Sequence, residues 1–126
     1  MKPFFVACLI LGSLFTAGLL NAQTVSRLSD SIETQLSYSQ AYAKDGQWGD
    51  VGDALYNVSR LWQERKTYLH VTLDHSELET TEALMAEARQ YAAQENTDQY
   101  CTCAERLAVQ LEHLKDSQRI SIKNVL

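Results

Sequence analysis

The sequence predicts an all-α protein, with an N-terminal transmembrane or signal helix followed by a short up-down antiparallel bundle of three to four helices. Three observations support this fold class. The chain has one proline and five glycines, so few positions break a helix. Apolar residues recur at helical spacing after residue 22. The turn signals that an all-β chain shows about every 8–12 residues are missing.

Composition limits the chain to one ordinary folded domain. Its 126 residues are 45% apolar and 21% charged, which is typical of a globular protein and argues against disorder. The formal net charge is −5. Because a nucleic-acid-binding protein needs a basic stripe, and the sequence has none, we expect no nucleic-acid partner.

The N-terminal segment is the longest apolar stretch of the chain. No charged residue occurs between Pro3 and Ala22, and Lys2 precedes the run Phe4–Leu20. As a helix this run is about 25 Å long, close to the roughly 30 Å of a bilayer core. It can therefore be an uncleaved anchor or a cleavable secretory signal. Cleavage after Ala22 would place Leu20 where a small residue is preferred.

These two alternatives divide the chain in the same way, into an apolar segment over residues 1–22 and an exterior helical domain over residues 23–126. Lys2 at the short N-terminal flank favours the N-terminus inside and residues 23–126 outside. We therefore expect a single-pass protein of the cell membrane, held through residues 3–22. If the segment is cleaved, the protein is secreted.

Four helices follow from apolar spacing in the remainder. A first helix, about 23–43, can continue from the apolar segment, and Asp45-Gly46 then predicts a turn. Asp50 is expected to cap a second helix of about 23 residues. The predicted inner residues are Val25, Leu28, Ile32, Leu36 and Ala43, with Ser39 and Tyr42 filling the gap, and then Val51, Ala54, Leu55, Val58, Leu61, Trp62, Leu69 and Leu73.

Two shorter helices complete the predicted bundle. Ser76 and Glu79 have the spacing of a capping box, which predicts a break followed by a third helix over about 77–93. Asn96-Thr97-Asp98 supplies the next loop and cap, and a fourth helix runs over about 98–115. The apolar tail 120–126 is expected to pack back on the bundle. The predicted inner residues are Leu78, Leu84, Met85, Ala88 and Ala92, then Tyr100, Cys103, Ala104, Leu107, Leu111 and Leu114.

Several short motifs, in order, carry a family resemblance: Asp45-Gly46-Gln47-Trp48, Trp62, Asp74-His75-Ser76-Glu77-Leu78, Tyr91, Leu111-Glu112-His113-Leu114 and Ser121-Ile122-Lys123-Asn124-Val125-Leu126. Together they resemble the bacterial family called domain of unknown function 4363. Gln47, Thr81, Cys101 and Cys103 depart from the family's usual residues. The resemblance implies a retained membrane anchor and a helical remainder. It implies no activity, because none is assigned to the family.

The candidate chemistry centres on histidines and carboxylates near two helix ends. His70, Asp74, His75 and Glu77 lie at the second junction, and Glu112 and His113 lie late in the fourth helix. In an antiparallel bundle, His75, Glu77 and His113 could meet and bind a divalent metal. The alternative, which we favour, is that Asp74 and His75 serve the helix junction. We therefore predict no catalytic, cofactor-binding or metal-binding residue.

Two further groups have ordinary structural explanations. Cys101 and Cys103 point in different directions on a helix, which predicts a surface and a buried thiol rather than a pair. The aromatic residues are expected to pack in the core: Trp48, Trp62, Tyr68, Tyr91 and Tyr100.

The sequence therefore predicts a non-enzymatic membrane-anchored helical domain that binds a protein partner or supports an envelope complex. The alternative is a small metal- or ligand-sensing exterior domain that uses His75, Glu77 and His113. The oligomeric state does not follow from the sequence.

Overall fold

A computed structural model of the chain describes the backbone of residues 2–125, and the side chains of that range except those of residues 18, 19, 21, 22, 72 and 118–125. The described residues form four α-helices. They are α1 (Lys2–Lys44), α2 (Trp48–Thr72), α3 (His75–Ala93) and α4 (Thr97–Val125). The all-α bundle predicted from the sequence is confirmed.

Helix α1 joins the apolar segment to the bundle without a break. Pro3 lies in its first turn, where a missing N–H costs no hydrogen bond. From residue 25 onward the predicted inner residues Val25, Leu28, Ile32, Leu36 and Ala43 are buried. The first predicted helix, 23–43, is therefore the second half of a longer helix.

The connection from α1 to α2 is a Schellman turn. The N–H of Gln47 donates to the carbonyl of Tyr42, and the N–H of Gly46 donates to that of Ala43. Gly46 has φ 73°, which favours glycine. The N-cap of α2 is Gln47, so the predicted cap at Asp50 is wrong: Asp50 lies in the first turn, where its charge suits the helix dipole.

The break between α2 and α3 lies where it was predicted, but the predicted capping box is wrong. Helix α3 begins at His75, with Asp74 as its N-cap and no side-chain capping bond. The break consists of Leu73 and Asp74, whose backbone is extended, and the helix resumes at His75. Ser76 and Glu79 therefore lie inside the helix. Glu79 contacts His75 instead.

A second Schellman turn joins α3 to α4. The N–H of Asn96 donates to the carbonyl of Tyr91, and Glu95 adopts φ 53° in the left-handed region. The side chain of Asn96 then accepts a hydrogen bond from the N–H of Gln99 at 3.2 Å. The predicted cap in the segment 96–98 is therefore provided by Asn96.

Helix α4 continues to Val125, beyond the predicted end near residue 115. The last seven residues were expected to fold back, but 120–125 extend the helix, since no glycine or proline interrupts them. Their side-chain packing and Leu126 lie outside the described residues. All predicted inner residues of α4 are buried: Tyr100, Cys103, Ala104, Leu107, Leu111 and Leu114.

The helices pack in a ring, with α1 against α2 and α4, and α3 against α2 and α4. Short connections make successive helices antiparallel, so the ring is an up-and-down four-helix bundle. One core of apolar side chains fills it, with Trp62 and Tyr100 as its largest buried members. Both ends of the bundle can be distinguished: α1 enters at one end, and Lys44, Trp48, Ala93 and Thr97 lie at the other.

Candidate functional site

The N-terminal part of α1 exposes many large apolar side chains. Phe4 and Phe5 are 73% and 72% exposed. The other exposed members are Val6, Leu9, Ile10, Leu11, Leu14, Phe15 and Leu20. Exposed apolar patches of this extent mark protein or membrane interaction sites. We call residues 4–20 the apolar segment.

Within the part of the chain that the structure describes, none of the helices combines the length and apolar character needed to cross a bilayer. The transmembrane part of the sequence prediction therefore finds no support there. The predicted run includes residues 18 and 19, whose side chains lie outside the described set.

The structure brings together two of the three candidate metal ligands. His113 Nε2 lies 3.2 Å from Glu77 Oε1, across the α3–α4 interface. The other oxygen of Glu77 accepts a hydrogen bond from Gln110 at 2.8 Å. Gln110 also reaches the buried Thr81 hydroxyl at 3.4 Å. This polar network joins the two helices near the α3 N-terminus.

The third candidate ligand belongs to a different contact. His75 Nε2 lies 2.8 Å from Glu79 Oε1, one turn along the same exposed helix face. The ring of His70 lies 6.3 Å from that of His75. Among the side chains described, no three histidine, cysteine or acidic groups are arranged to hold a metal ion. The three proposed ligands are thus divided between two separate pairs.

The cysteines and aromatic residues occupy structural positions. Burial raises the pKa of the Cys103 thiol to about 11, and that thiol donates to the carbonyl of Leu84 at 3.4 Å. Cys101 is partly buried rather than fully exposed, and neither forms a disulfide. The predicted aromatic packing is confirmed: Trp62 and Tyr100 are buried, and Trp48, Tyr68 and Tyr91 pack against the core.

A groove between α2 and α3, which the sequence did not predict, forms a concave surface of the bundle. It encloses about 400 Å³. The residues that line it are Trp48, Gly52, Leu55, Tyr56, Ser59, Arg89, Ala92 and Ala93. We call it the α2–α3 groove. Gly52, Ala92 and Ala93 were the available sequence signal, since small residues on facing helices leave space that larger side chains would fill.

A charged cluster in the α1–α4 interface was also missed. Lys115 is only 10% exposed, and its Nζ lies 2.7 Å from Asp30, 2.8 Å from Glu112 and 3.7 Å from Glu33. Lys115 follows Leu107 and Leu111 at intervals of four residues. That spacing places it on the inner face of α4 and could have identified it.

The charged groups of this cluster shift one another's pKa values. Burial alone would lower the pKa of Lys115, but hydrogen bonds to Asp30 and Glu112 outweigh it and raise the pKa above its usual value. The bond to Lys115 lowers the pKa of Glu112. Burial and the neighbouring carboxylates raise the pKa of Glu33. One oxygen of Glu33 is buried with no described hydrogen-bond partner.

The protein is a small up-and-down helical bundle. A comparison of the sequence with known families identifies the family to which it belongs. The family described as "Domain of unknown function (DUF4363)" matches residues 19–125. The chain belongs to this family, and the resemblance found in its motifs is confirmed. A search of the curated proteins and a search of the solved structures found no match to the chain.

Proposed function

We propose that this protein is a non-enzymatic, membrane-anchored helical domain that binds a protein partner on the outer face of the membrane. The observation that carries the proposal is the division of α1. Its N-terminal part exposes the apolar segment, and the same uninterrupted helix then contributes Val25, Ile32 and Leu36 to the bundle core. A helix of this kind links a water-soluble bundle rigidly to whatever covers its apolar end.

A lipid bilayer is the covering that best suits the apolar segment. Leaving apolar surface in water costs about 25 cal/mol per Å², and nine large apolar side chains of the described part of this segment are exposed. The segment carries no charge between Pro3 and Ala22. The positive charge of Lys2 at its N-terminal flank favours an N-terminus inside and a bundle outside.

A test of the anchor is membrane fractionation of the full-length chain followed by alkaline extraction. We expect the wild type to stay with the membrane. The double substitution Leu9→Arg and Leu14→Arg places two charges among exposed apolar residues. It should release the protein, because each arginine at the centre of a membrane helix costs about 2.5–3.5 kcal/mol.

The matched control places the same charges on the bundle. Tyr38→Arg and Val109→Arg also replace exposed apolar side chains, and this variant should remain in the membrane fraction. Release of the wild type by alkali, or retention of the Leu9/Leu14 variant, would contradict the anchor. Intact mass separates the alternatives, since a cleaved signal would remove about residues 1–22. Protease added outside the cell should digest residues 23–126.

A further inference from the structure

The α2–α3 groove lies at the end of the bundle opposite the apolar segment. Trp48 begins α2, and Ala92 and Ala93 end α3. Both positions adjoin Lys44, where α1 ends, whereas the apolar segment lies at the other end of α1. If the apolar segment lies in a membrane, the groove lies toward the end of the bundle that is farther from the membrane. This position suits a partner approaching from solution rather than a lipid surface.

The groove has an apolar wall and an open floor. Trp48, Leu55 and Ala92 contribute apolar surface. A Cβ atom added at Gly52 would meet no other atom within 4 Å. The volume of about 400 Å³ lies within the range of about 300–1,000 Å³ of ligand sites. It can accommodate two or three apolar side chains.

One uncompensated charge lies at the edge of the groove. Arg89 is exposed and forms no ion pair with any residue that the structure describes. Among the residues that the structure describes as lining the groove, Arg89 is the one charged side chain, and no carboxylate lies beside it there. Arginine is suited to binding a carboxylate through two parallel hydrogen bonds.

We propose that the α2–α3 groove binds an apolar peptide segment of another protein that carries a carboxylate, with Arg89 pairing with that carboxylate. The apolar side chains of the segment pack against Trp48 and Leu55, and the open space above Gly52 admits them. This proposal names the partner class for the partner-binding role proposed above. It does not depend on the membrane anchor.

The test uses a defined peptide and the tryptophan fluorescence of the full-length chain in lipid nanodiscs. The probe is acetyl-Ala-Leu-Phe-Leu with a free terminal carboxylate, compared with the same peptide as a terminal amide. Trp48 lies in the groove, whereas Trp62 is buried in the core, so emission changes report the groove. We expect saturable binding of the acid, about tenfold tighter than the amide.

Two variants assign that binding to particular residues. Arg89→Gln should bind the acid and the amide equally, because only the charge pair distinguishes them. Gly52→Leu should weaken binding of the acid by about tenfold or more by filling the floor of the groove. Gly49→Leu is its matched control: Gly49 also has open space around its Cβ position but does not line the groove, so binding should be unchanged.

Several outcomes would overturn the proposal. They are non-saturable emission changes, equal affinity of wild type for acid and amide, or undiminished binding by Gly52→Leu. Tighter binding of decanoate than of the peptide would show a fatty-acid site instead. Thermal unfolding of each variant identifies misfolding. If the wild type does not enter nanodiscs, the anchor fails, and the same titration in buffer still decides the groove.

Discussion

The α1–α4 interface and the α2–α3 pair are built from similar amphipathic helices but differ in how completely they close. Between α1 and α4, Lys115 gathers three carboxylates, and Tyr100 donates a 2.6 Å hydrogen bond to Ser39. Between α2 and α3, Trp62 donates to Glu82 at 3.1 Å, and further along the helices an open groove replaces contact. The same apolar periodicity thus produces a closed, polar-bonded interface on one side and an open one on the other.

The difference indicates that the α1–α4 interface contributes more to stability, whereas the α2–α3 pair leaves a surface open to a partner. Buried polar groups must be paired, so a network such as that of Lys115 stabilises one relative position of its helices. The residues that line the α2–α3 groove form no comparable network of buried charges, and the small residues among them leave apolar surface available for a partner. Substitutions should therefore destabilise the protein strongly at the α1–α4 interface and weakly, or not at all, at the groove.

The largest effect is expected from Lys115→Met. Removing the ammonium leaves Asp30, Glu33 and Glu112 as neighbouring carboxylates without their cation. We expect a loss of about 2–3 kcal/mol in the free energy of unfolding, below the 3–5 kcal/mol of a fully buried pair because two of these carboxylates are half exposed. Denaturant unfolding followed by circular dichroism measures it.

The control for that substitution is Lys66→Met. Lys66 pairs with Glu82 at 3.6 Å but is 39% exposed, so its loss should cost less than about 1 kcal/mol. Equal destabilisation by the two substitutions would remove the contrast between the closed and the open interface.

A smaller effect is expected from Tyr100→Phe. The substitution keeps the buried ring and removes the hydroxyl that bonds to Ser39, so unfolding should become easier by about 1 kcal/mol. Tyr56→Phe, at an exposed position beside the groove, should leave stability unchanged. If Tyr100→Phe were as stable as the wild type, the Ser39 bond would not contribute to closing the interface.

The sequence predicted the buried faces of the helices better than the way they meet. In α4, spacing alone identified Tyr100, Leu107 and Leu111 as inner residues, because burial follows the helical period. The same spacing continues to Lys115, which the sequence analysis did not include among the inner residues. The N-cap of α2 lies three residues before the predicted one, at Gln47 rather than Asp50, since the backbone turn at Gly46 determined the start of the helix.

The candidate sites were less predictable for a physical reason. Periodicity places His75, Glu77 and His113 near one end of the bundle, but not on the same face. His75 points to Glu79 on its own helix, whereas Glu77 crosses to His113. The α2–α3 groove depends on how closely two helices approach each other, which a single amphipathic pattern does not specify.

An effect of the opposite sign is expected on the α2 side. Gly49→Ala and Gly52→Ala should each stabilise the protein by about 0.5–1 kcal/mol, because alanine loses less backbone entropy in a helix and its methyl group meets open space. Gly46→Ala is the contrasting control: its φ of 73° should make the change destabilising. Melting temperatures check all three. A loss of stability at Gly52 would mean that α2 and α3 pack more closely than the groove implies.

The smallest expected effect is the pH dependence of stability that arises from the raised pKa of Glu33. Burial first, and then the Glu112 and Asp30 carboxylates, raise its pKa above the usual 4.5, against the attraction of Lys115. The folded chain therefore holds this proton more tightly than the unfolded chain, and the resulting stability, present below pH 4.5, is lost as pH rises through the folded pKa.

Glu33→Gln cannot titrate, so its melting temperature relative to wild type should increase as the pH rises from about 4 to about 8. The change should be the smallest of the four, since water reaches part of this side chain and screens its charge. Glu64→Gln, at an exposed position paired only with Arg60, should show no such trend. The melting-temperature difference between Glu33→Gln and wild type could instead stay constant or decrease as the pH rises. That result would mean that Lys115 compensates the charge of Glu33 fully, and that the ionised Glu33 does not destabilise the α1–α4 interface.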